Sequence, residues 1–195
     1  GYKIALTSAM AQSLTAIDHP VFGRIISSRV YASGTALPAN LFTTRVVESE
    51  FAFTIGHDVP KRAAAYTANS IAPFVDAVHP AIELVDCHFA GLDRVTGVSL
   101  AADNAIHGAF VCGEACDADD LMQLNNARVE LEVNGEVLLT GAGDRTLGHP
   151  LKALAWLANA LPSYGLSLSA GDQVTTGLTT DGIYDAKPGD TLVAR

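Results

Sequence analysis

Thr44-Arg45-Val46-Val47-Glu48-Ser49-Glu50-Phe51-Ala52-Phe53-Thr54-Ile55 is dense in β-branched and aromatic residues and predicts a strand. On a strand, residues two apart share a face, so Glu48 and Glu50 project together while Val47, Ser49 and Phe51 take the other side. Two carboxylates side by side in an otherwise apolar strand repel each other and lose hydration unless a cation sits between them. The same spacing recurs at Glu130 and Glu132, where both acids alternate with Val129, Leu131 and Val133 beside an Asn134-Gly135 turn; these two are assigned to solvent. Glu48 differs because its neighbours on both faces are apolar.

Around this strand the chain predicts an α+β domain built on a curved or barrel-like sheet. Residues 81–86, Ala-Ile-Glu-Leu-Val-Asp, form a second short apolar strand that carries Glu83. Apolar residues at helical spacing (Ala64, Ala65, Ala68, Ile71, Ala72, Val75, Val78) predict a helix from Lys61 to about Val78, interrupted at Pro73. Arg128 to Thr140 predicts a hairpin, and His149-Pro150 opens a helix to Leu161 with Gly165 near its end. Gly171-Asp172 and Gly189-Asp190 each precede a short β-like run.

Composition narrows the function. The chain has 195 residues, is 49% hydrophobic and carries a net charge of −9, which suits one domain with a good core and offers no basic surface for nucleic acid. An acidic protein that attracts an anionic substrate needs a local positive charge, and a bound cation is the simplest source. No long uninterrupted apolar run and no signal-peptide pattern is present, so a soluble cytoplasmic protein without membrane partners is expected. Three cysteines, Cys87, Cys112 and Cys116, cannot all pair within the chain, and reduced thiols are expected. His88, His107, Cys112 and Cys116 lack the spacing of a zinc site and are read as core or pocket residues; His149, ahead of Pro150, is read as structural.

Five segments in order resemble the 2-oxopent-4-enoate hydratase and 4-oxalocrotonate decarboxylase family of the fumarylacetoacetate hydrolase superfamily. They are Gly1-Tyr2-Lys3-Ile4-Ala5-Leu6-Thr7-Ser8, Val47 to Phe53, Ile82 to Asp86, Ala102-Asp103-Asn104-Ala105, and Leu147-Gly148-His149-Pro150 through Asn159. The resemblance implies a mixed β-roll with peripheral helices, Glu48, Glu50 and Glu83 as ligands of Mg²⁺ or Mn²⁺, and Lys3 as an active-site lysine. Lys3, desolvated near the cation, is expected to have a lowered pKa and to shuttle protons or pair with the substrate. It also implies Leu6, Thr7, Ser8, His88, His107 and Thr176 as the surroundings of a small 2-oxo acid substrate, a homo-oligomer, and a place in aromatic catabolism. The family carries a helical segment ahead of the lysine motif, so residues 1–195 are read as one catalytic domain whose natural N-terminal segment is missing.

The implied reaction is hydration of a 2-hydroxy-2,4-dienoate or decarboxylation of a related 2-oxo diacid, with an acylpyruvate C–C hydrolase and a non-catalytic 2-oxo acid binding paralogue as alternatives. The sequence departs from the family where substrate lies: Val21 replaces an acid, Cys87-His88 replaces Ser-Arg, Ile106-His107 replaces two serines, and Leu178 stands where Ser or Gly is common. Lost polar contacts of this kind alter which acid is recognised.

Overall fold

In a computed structural model, which describes residues 1–91, 94–116 and 120–195, the elements in chain order are β1 (Tyr2–Ala5), α1 (Ala9–Thr15), β2 (Val21–Arg24), β3 (Val30–Ala32), β4 (Val46–Ile55), α2 (Ala68–Ile71), β5 (Val75–Val85), α3 (Gly97–Ala102), β6 (His107–Cys112), β7 (Arg128–Val133), β8 (Glu136–Ala142), α4 (Pro150–Ala160), β9 (Gln173–Thr175), β10 (Tyr184–Asp185) and β11 (Leu192–Ala194). The main sheet runs β2-β1-β9-β4-β5-β6-β3, with β10 also on β4, and a smaller sheet runs β11-β7-β8. β1 pairs with β9 and β3 with β6 in parallel, and the other pairs are antiparallel, so the α+β fold has a mixed sheet.

β4 is the axis of the molecule. Its outward alternation places Phe53 and Ile55 on one face, where they bury with Tyr2, Ile4 and Val174 against Leu151, Leu154, Leu157 and Leu161. Each such buried side chain contributes about 1.5–3 kcal/mol, so this layer fixes α4 on the sheet. The alternation that sends Tyr2 and Ile4 to α4 sends Lys3 to the opposite face, the face of Glu48 and Glu50.

The helix expected over 61–78 is overturned. Only Ala68–Ile71 is α-helical, started by a Thr67/Ser70 capping box and followed by a single 3₁₀ turn through Pro73. Ala64 and Ala65 are exposed. From Val75 onward the chain joins β5, paired with β4 from Ile55↔Val75 to Val46↔Val85. Eleven residues of strand pairing outweigh an alanine-rich stripe that Pro73 already interrupts. The hairpin, α4 and both Gly-Asp turns stand as expected. Glu130 and Glu132 are half-buried rather than fully solvated, because Arg128 and Arg195 cover them. α1 and α3 are too short for a clear periodic pattern, and their sequence signals are the Ser8 and Thr96 caps. No helix among the described residues is long and apolar enough to cross a membrane.

Candidate metal centre

Strand register assembles the acidic residues. Glu48 lies directly opposite Glu83 of β5, and Glu50 is two residues along on the same face, opposite Ala81. One oxygen from each of the three falls within 4.8 Å of the others, the only such group of three His, Cys, Asp or Glu side chains among the described residues. Lys3 reaches them across β9: it is registered with Thr175, which is registered with Ala52 of β4. Its Nζ forms an ion pair with Glu83 Oε2 at 2.7 Å and donates to the Ala105 carbonyl at 2.9 Å. His107 Nδ1 lies 2.9 Å from Glu83 Oε1. Glu50 Oε2 accepts the Gly177 N–H at 2.8 Å. Gly177 has φ +92°, and a Cβ there would meet Thr7 Oγ1 at 2.2 Å, so the amide approaches only because residue 177 is glycine.

The electrostatics follow from enclosure. Burial, opposed by Lys3 and reinforced by Glu83, raises the Glu48 pKa to about 7. Burial, then Glu83 and Glu48, push Glu50 well above the carboxylate range. Glu83 is buried too, but Lys3 and His107 more than offset desolvation and hold it below its ordinary value. Burial pulls Lys3 down, yet Glu83, Glu48 and Glu50 together leave it raised. With no cation beside it, one ammonium faces three acids, and these outweigh the desolvation that would lower it.

The residues fit a hard cation. Three acids against one lysine leave buried negative charge uncompensated, and Glu50 Oε1 is buried with no hydrogen-bond partner. An all-oxygen donor set suits Mg²⁺, Mn²⁺ or Ca²⁺ rather than zinc. Thr175 Oγ1 and His107 Nε2 are likewise buried without partners.

The other sequence-derived positions divide into two groups. Leu6 is buried with φ +58°, and Thr7 is buried with its carbonyl held by the Leu147 N–H. Ser8 accepts the Ala11 N–H as the cap of α1, and the buried Thr176 hydroxyl donates to the Phe51 carbonyl. These four follow β1 or β9 directly, next to Lys3 and Gly177. His88 is separate: it is exposed, its Nδ1 sits 2.9 Å from Asp103 Oδ1, and no contact joins it to the three acids. Val21, Cys87 and Ile106 pack in one apolar cluster, and Leu178 is half-buried. His149 caps α4 by accepting the Leu151 N–H, and all three cysteines are free. A groove of about 720 Å³ lined by residues including Tyr66, Met122, Lys152 and Trp156 contains none of the acids.

Two contributors escaped the sequence reading. Asn104, Ala105 and Ile106 all have positive φ, a left-handed turn that presents the Ala105 carbonyl to Lys3. The Asn104 side chain clamps this turn to β2, accepting the Arg24 N–H and donating to the Arg24 carbonyl, and Gly23 leaves room for it. Asn tolerates the left-handed region and was a visible signal; Ala and Ile gave none. Thr175 was the second, hidden because its importance comes from strand register with Lys3 alone.

Residues 6–195 match the family model for fumarylacetoacetate (FAA) hydrolase, C-terminal. The chain is 32% identical over 190 residues to the 2-keto-4-pentenoate hydratase of Paraburkholderia xenovorans (strain LB400), covering 97% of this chain and 69% of that protein. It is 30% identical over 197 residues to the 2-oxo-hept-4-ene-1,7-dioate hydratase of Escherichia coli, covering 98% and 73% respectively. Its fold matches that of 4-oxalocrotonate decarboxylase from Pseudomonas putida G7, complexed with magnesium and adipate, with a TM-score of 0.92 at 26% identity, over 100% of this chain and 73% of that one. The chain belongs to the fumarylacetoacetate (FAA) hydrolase C-terminal family.

Proposed function

We propose that this chain is a divalent-metal-dependent lyase acting on a small 2-oxo or 2-hydroxydienoate acid, with hydration of a 2-hydroxypenta-2,4-dienoate as its reaction. The convergence of Glu48, Glu50 and Glu83 beside Lys3 on one enclosed face carries this reading. The hydratase relatives and the magnesium-complexed structural neighbour support it. Glu48, Glu50 and Glu83 are the residues that would hold Mg²⁺ or Mn²⁺. When bound, such a cation supplies a Lewis acid for the carboxylate and 2-oxygen of the acid and stabilises negative charge developing there.

The chain's own residues supply the rest. Lys3 Nζ carries three hydrogens; the Ala105 carbonyl takes one and Glu83 faces the ammonium as its ion pair, so donor capacity is left for the substrate. Glu83 and Ala105 thereby fix the direction from which a proton is offered. Ala52, Ala81 and Phe110 form a buried apolar cluster on the face of Glu50 and Glu83 that keeps water scarce there. Leu6, Thr7 and Thr176 stand at the edge of this face, with Ser8 beyond them. A homo-oligomer located in the cytoplasm accords with the same reading.

Purified protein stripped with chelator and reloaded with Mg²⁺ or Mn²⁺ is expected to consume 2-hydroxypenta-2,4-dienoate, read as loss of diene absorbance. Absence of metal-dependent turnover across a panel of dienoates and 2-oxo acids would contradict the proposal. Decarboxylation of a 2-oxo diacid is the second reading. It is favoured by Val21, which is buried among apolar side chains, and by the absence among the described residues of a fourth acid in the cluster to activate water. Release of CO₂ without a hydrated product would select it.

A further inference from the structure

His107 takes no part in the steps above, yet three features of the fold converge on it. The first is a bulge. Phe110 is registered with Glu83, so regular alternation would turn residue 107 to the opposite face. The register slips between Leu84 and Val85, Gly108 is skipped, and His107 pairs with Val85 on the face of Glu83. Gly108 is required there, since a Cβ would meet the Asp86 Cβ and the Leu84 carbonyl at 2.6 Å.

The second feature is the left-handed turn Asn104–Ile106 immediately before it, pinned by Lys3 and by the Asn104 clamp on Arg24. Backbone held this way sets the start of β6 firmly and with it the imidazole. The third is the ring's bonding. Glu83 is ion-paired with Lys3, so its Oε1 is an acceptor and His107 Nδ1 carries the hydrogen between them. In that tautomer Nε2 is a bare acceptor, and it is buried without a partner in a residue only 7% exposed.

We propose that His107 is bifunctional: its Nδ1–H orients the Glu83 carboxylate, and its Nε2 accepts a hydrogen bond from an O–H of the bound acid. This rests on the metal-dependent reading above and adds to it a residue that selects for a hydroxyl, the 2-hydroxyl of a dienol or of a saturated 2-hydroxy acid, over an oxo group. A 2-oxo acid offers Nε2 no hydrogen; a 2-hydroxy acid does.

Asparagine reproduces the Nδ1 position and glutamine the Nε2 position, so the two jobs can be separated. Mn²⁺ affinity by calorimetry, and the ratio of 2-hydroxybutanoate to 2-oxobutanoate affinity on Mn²⁺-loaded protein, are the readouts. His107→Asn is expected to keep Mn²⁺ affinity within about threefold while the hydroxy-to-oxo ratio falls about tenfold relative to the unmodified chain, the worth of one hydrogen bond in a closed site. His107→Gln is expected to do the reverse, losing about tenfold in Mn²⁺ affinity, as for other groups that orient a ligand, and keeping the ratio. A purely structural histidine would lower both readouts together in both variants, and an unchanged ratio in a folded His107→Asn overturns the inference. If the unmodified chain takes no Mn²⁺, the metal-dependent reading fails and this inference fails with it; Mn²⁺ binding with no effect of His107→Asn on the ratio sinks only the inference.

Discussion

The molecule contains Glu-x-Glu twice on a strand, and the two copies differ in their neighbours rather than in their spacing. Glu130 and Glu132 on β7 are half-buried, and each meets an arginine: Arg128 Nη2 lies 2.6 Å from Glu130 Oε1, and Arg195 Nη2 lies 3.0 Å from Glu132 Oε2. Glu48 and Glu50 on β4 meet another acid, Glu83, and one lysine that is bound to that acid. Solvent and an arginine satisfy the first pair locally. The second pair is left with raised pKa values and an unpartnered oxygen, a state that a divalent cation resolves. Cross-strand partners, which spacing does not encode, separate a solubilising face from a candidate metal centre.

The largest expected effect breaks this contrast in activity. Glu48→Gln/Glu50→Gln is expected to lower metal-dependent dienoate turnover by about 10³-fold or more, the loss of several kcal/mol of charge stabilisation. Glu130→Gln/Glu132→Gln is expected to stay within about twofold in the same assay, because these acids lie outside the three-acid cluster and pair with solvent-exposed arginines, contacts that contribute at most about 1 kcal/mol to stability.

Next comes the lysine. Lys3→Met leaves Glu83 buried without its cation and is expected to cost about 3–5 kcal/mol of stability in chelator, measured by urea unfolding. Arg195→Met, removing the partner of Glu132, is expected to cost about 1 kcal/mol or less. Equal costs would erase the distinction between the two regions.

The pH dependence of metal-free protein sharpens it further. The folded pKa of Glu48, about 7, lies above its unfolded value of 4.5. A group raised in this way stabilises the fold fully below its unfolded pKa, and that stability is lost as pH rises through the folded pKa. Stability in chelator is therefore expected to fall from pH 4.5 through about 7, Glu50 adding a fall of the same sign, and Glu48→Gln to reduce the slope without removing it. Glu83, whose folded pKa is lowered, contributes with the opposite sign and only at more acidic pH. The slope is expected to survive Glu130→Gln/Glu132→Gln, since these acids pair with Arg128 and Arg195 outside the three-acid cluster.

The smallest effect lies at the hairpin beyond the β7 acids. Asn134 and Gly135 both have positive φ, so Gly135→Ala is expected to cost about 1 kcal/mol, read as a small drop in melting temperature with dienoate turnover unchanged.

Much of this was legible in the sequence, and the rest failed for identifiable physical reasons. β4, the hairpin and α4 carry strong local patterns, and they form where those patterns say. Residues 61–78 carried a helical stripe, but Val75 to Val78 were claimed by pairing with β4, a long-range gain that no local pattern reports. The three acids and Lys3 were each identifiable by resemblance, while their convergence depends on register across β1, β9, β4 and β5. His88 stands where the family resemblance has an arginine, and its turn toward Asp103 is something no local pattern reports. The bulge that swings His107 onto Glu83 was invisible, since Gly108 has many reasons to be a glycine.

The central claim is that Glu48, Glu50 and Glu83 hold a divalent cation, and calorimetric titration of Mn²⁺ into chelator-stripped protein tests it most directly. The account predicts one Mn²⁺ per chain for the unmodified protein and for Glu130→Gln/Glu132→Gln, and a loss of affinity of about 100-fold or more for Glu48→Gln/Glu50→Gln with its circular dichroism unchanged. Unchanged Mn²⁺ binding by a folded Glu48→Gln/Glu50→Gln would contradict it.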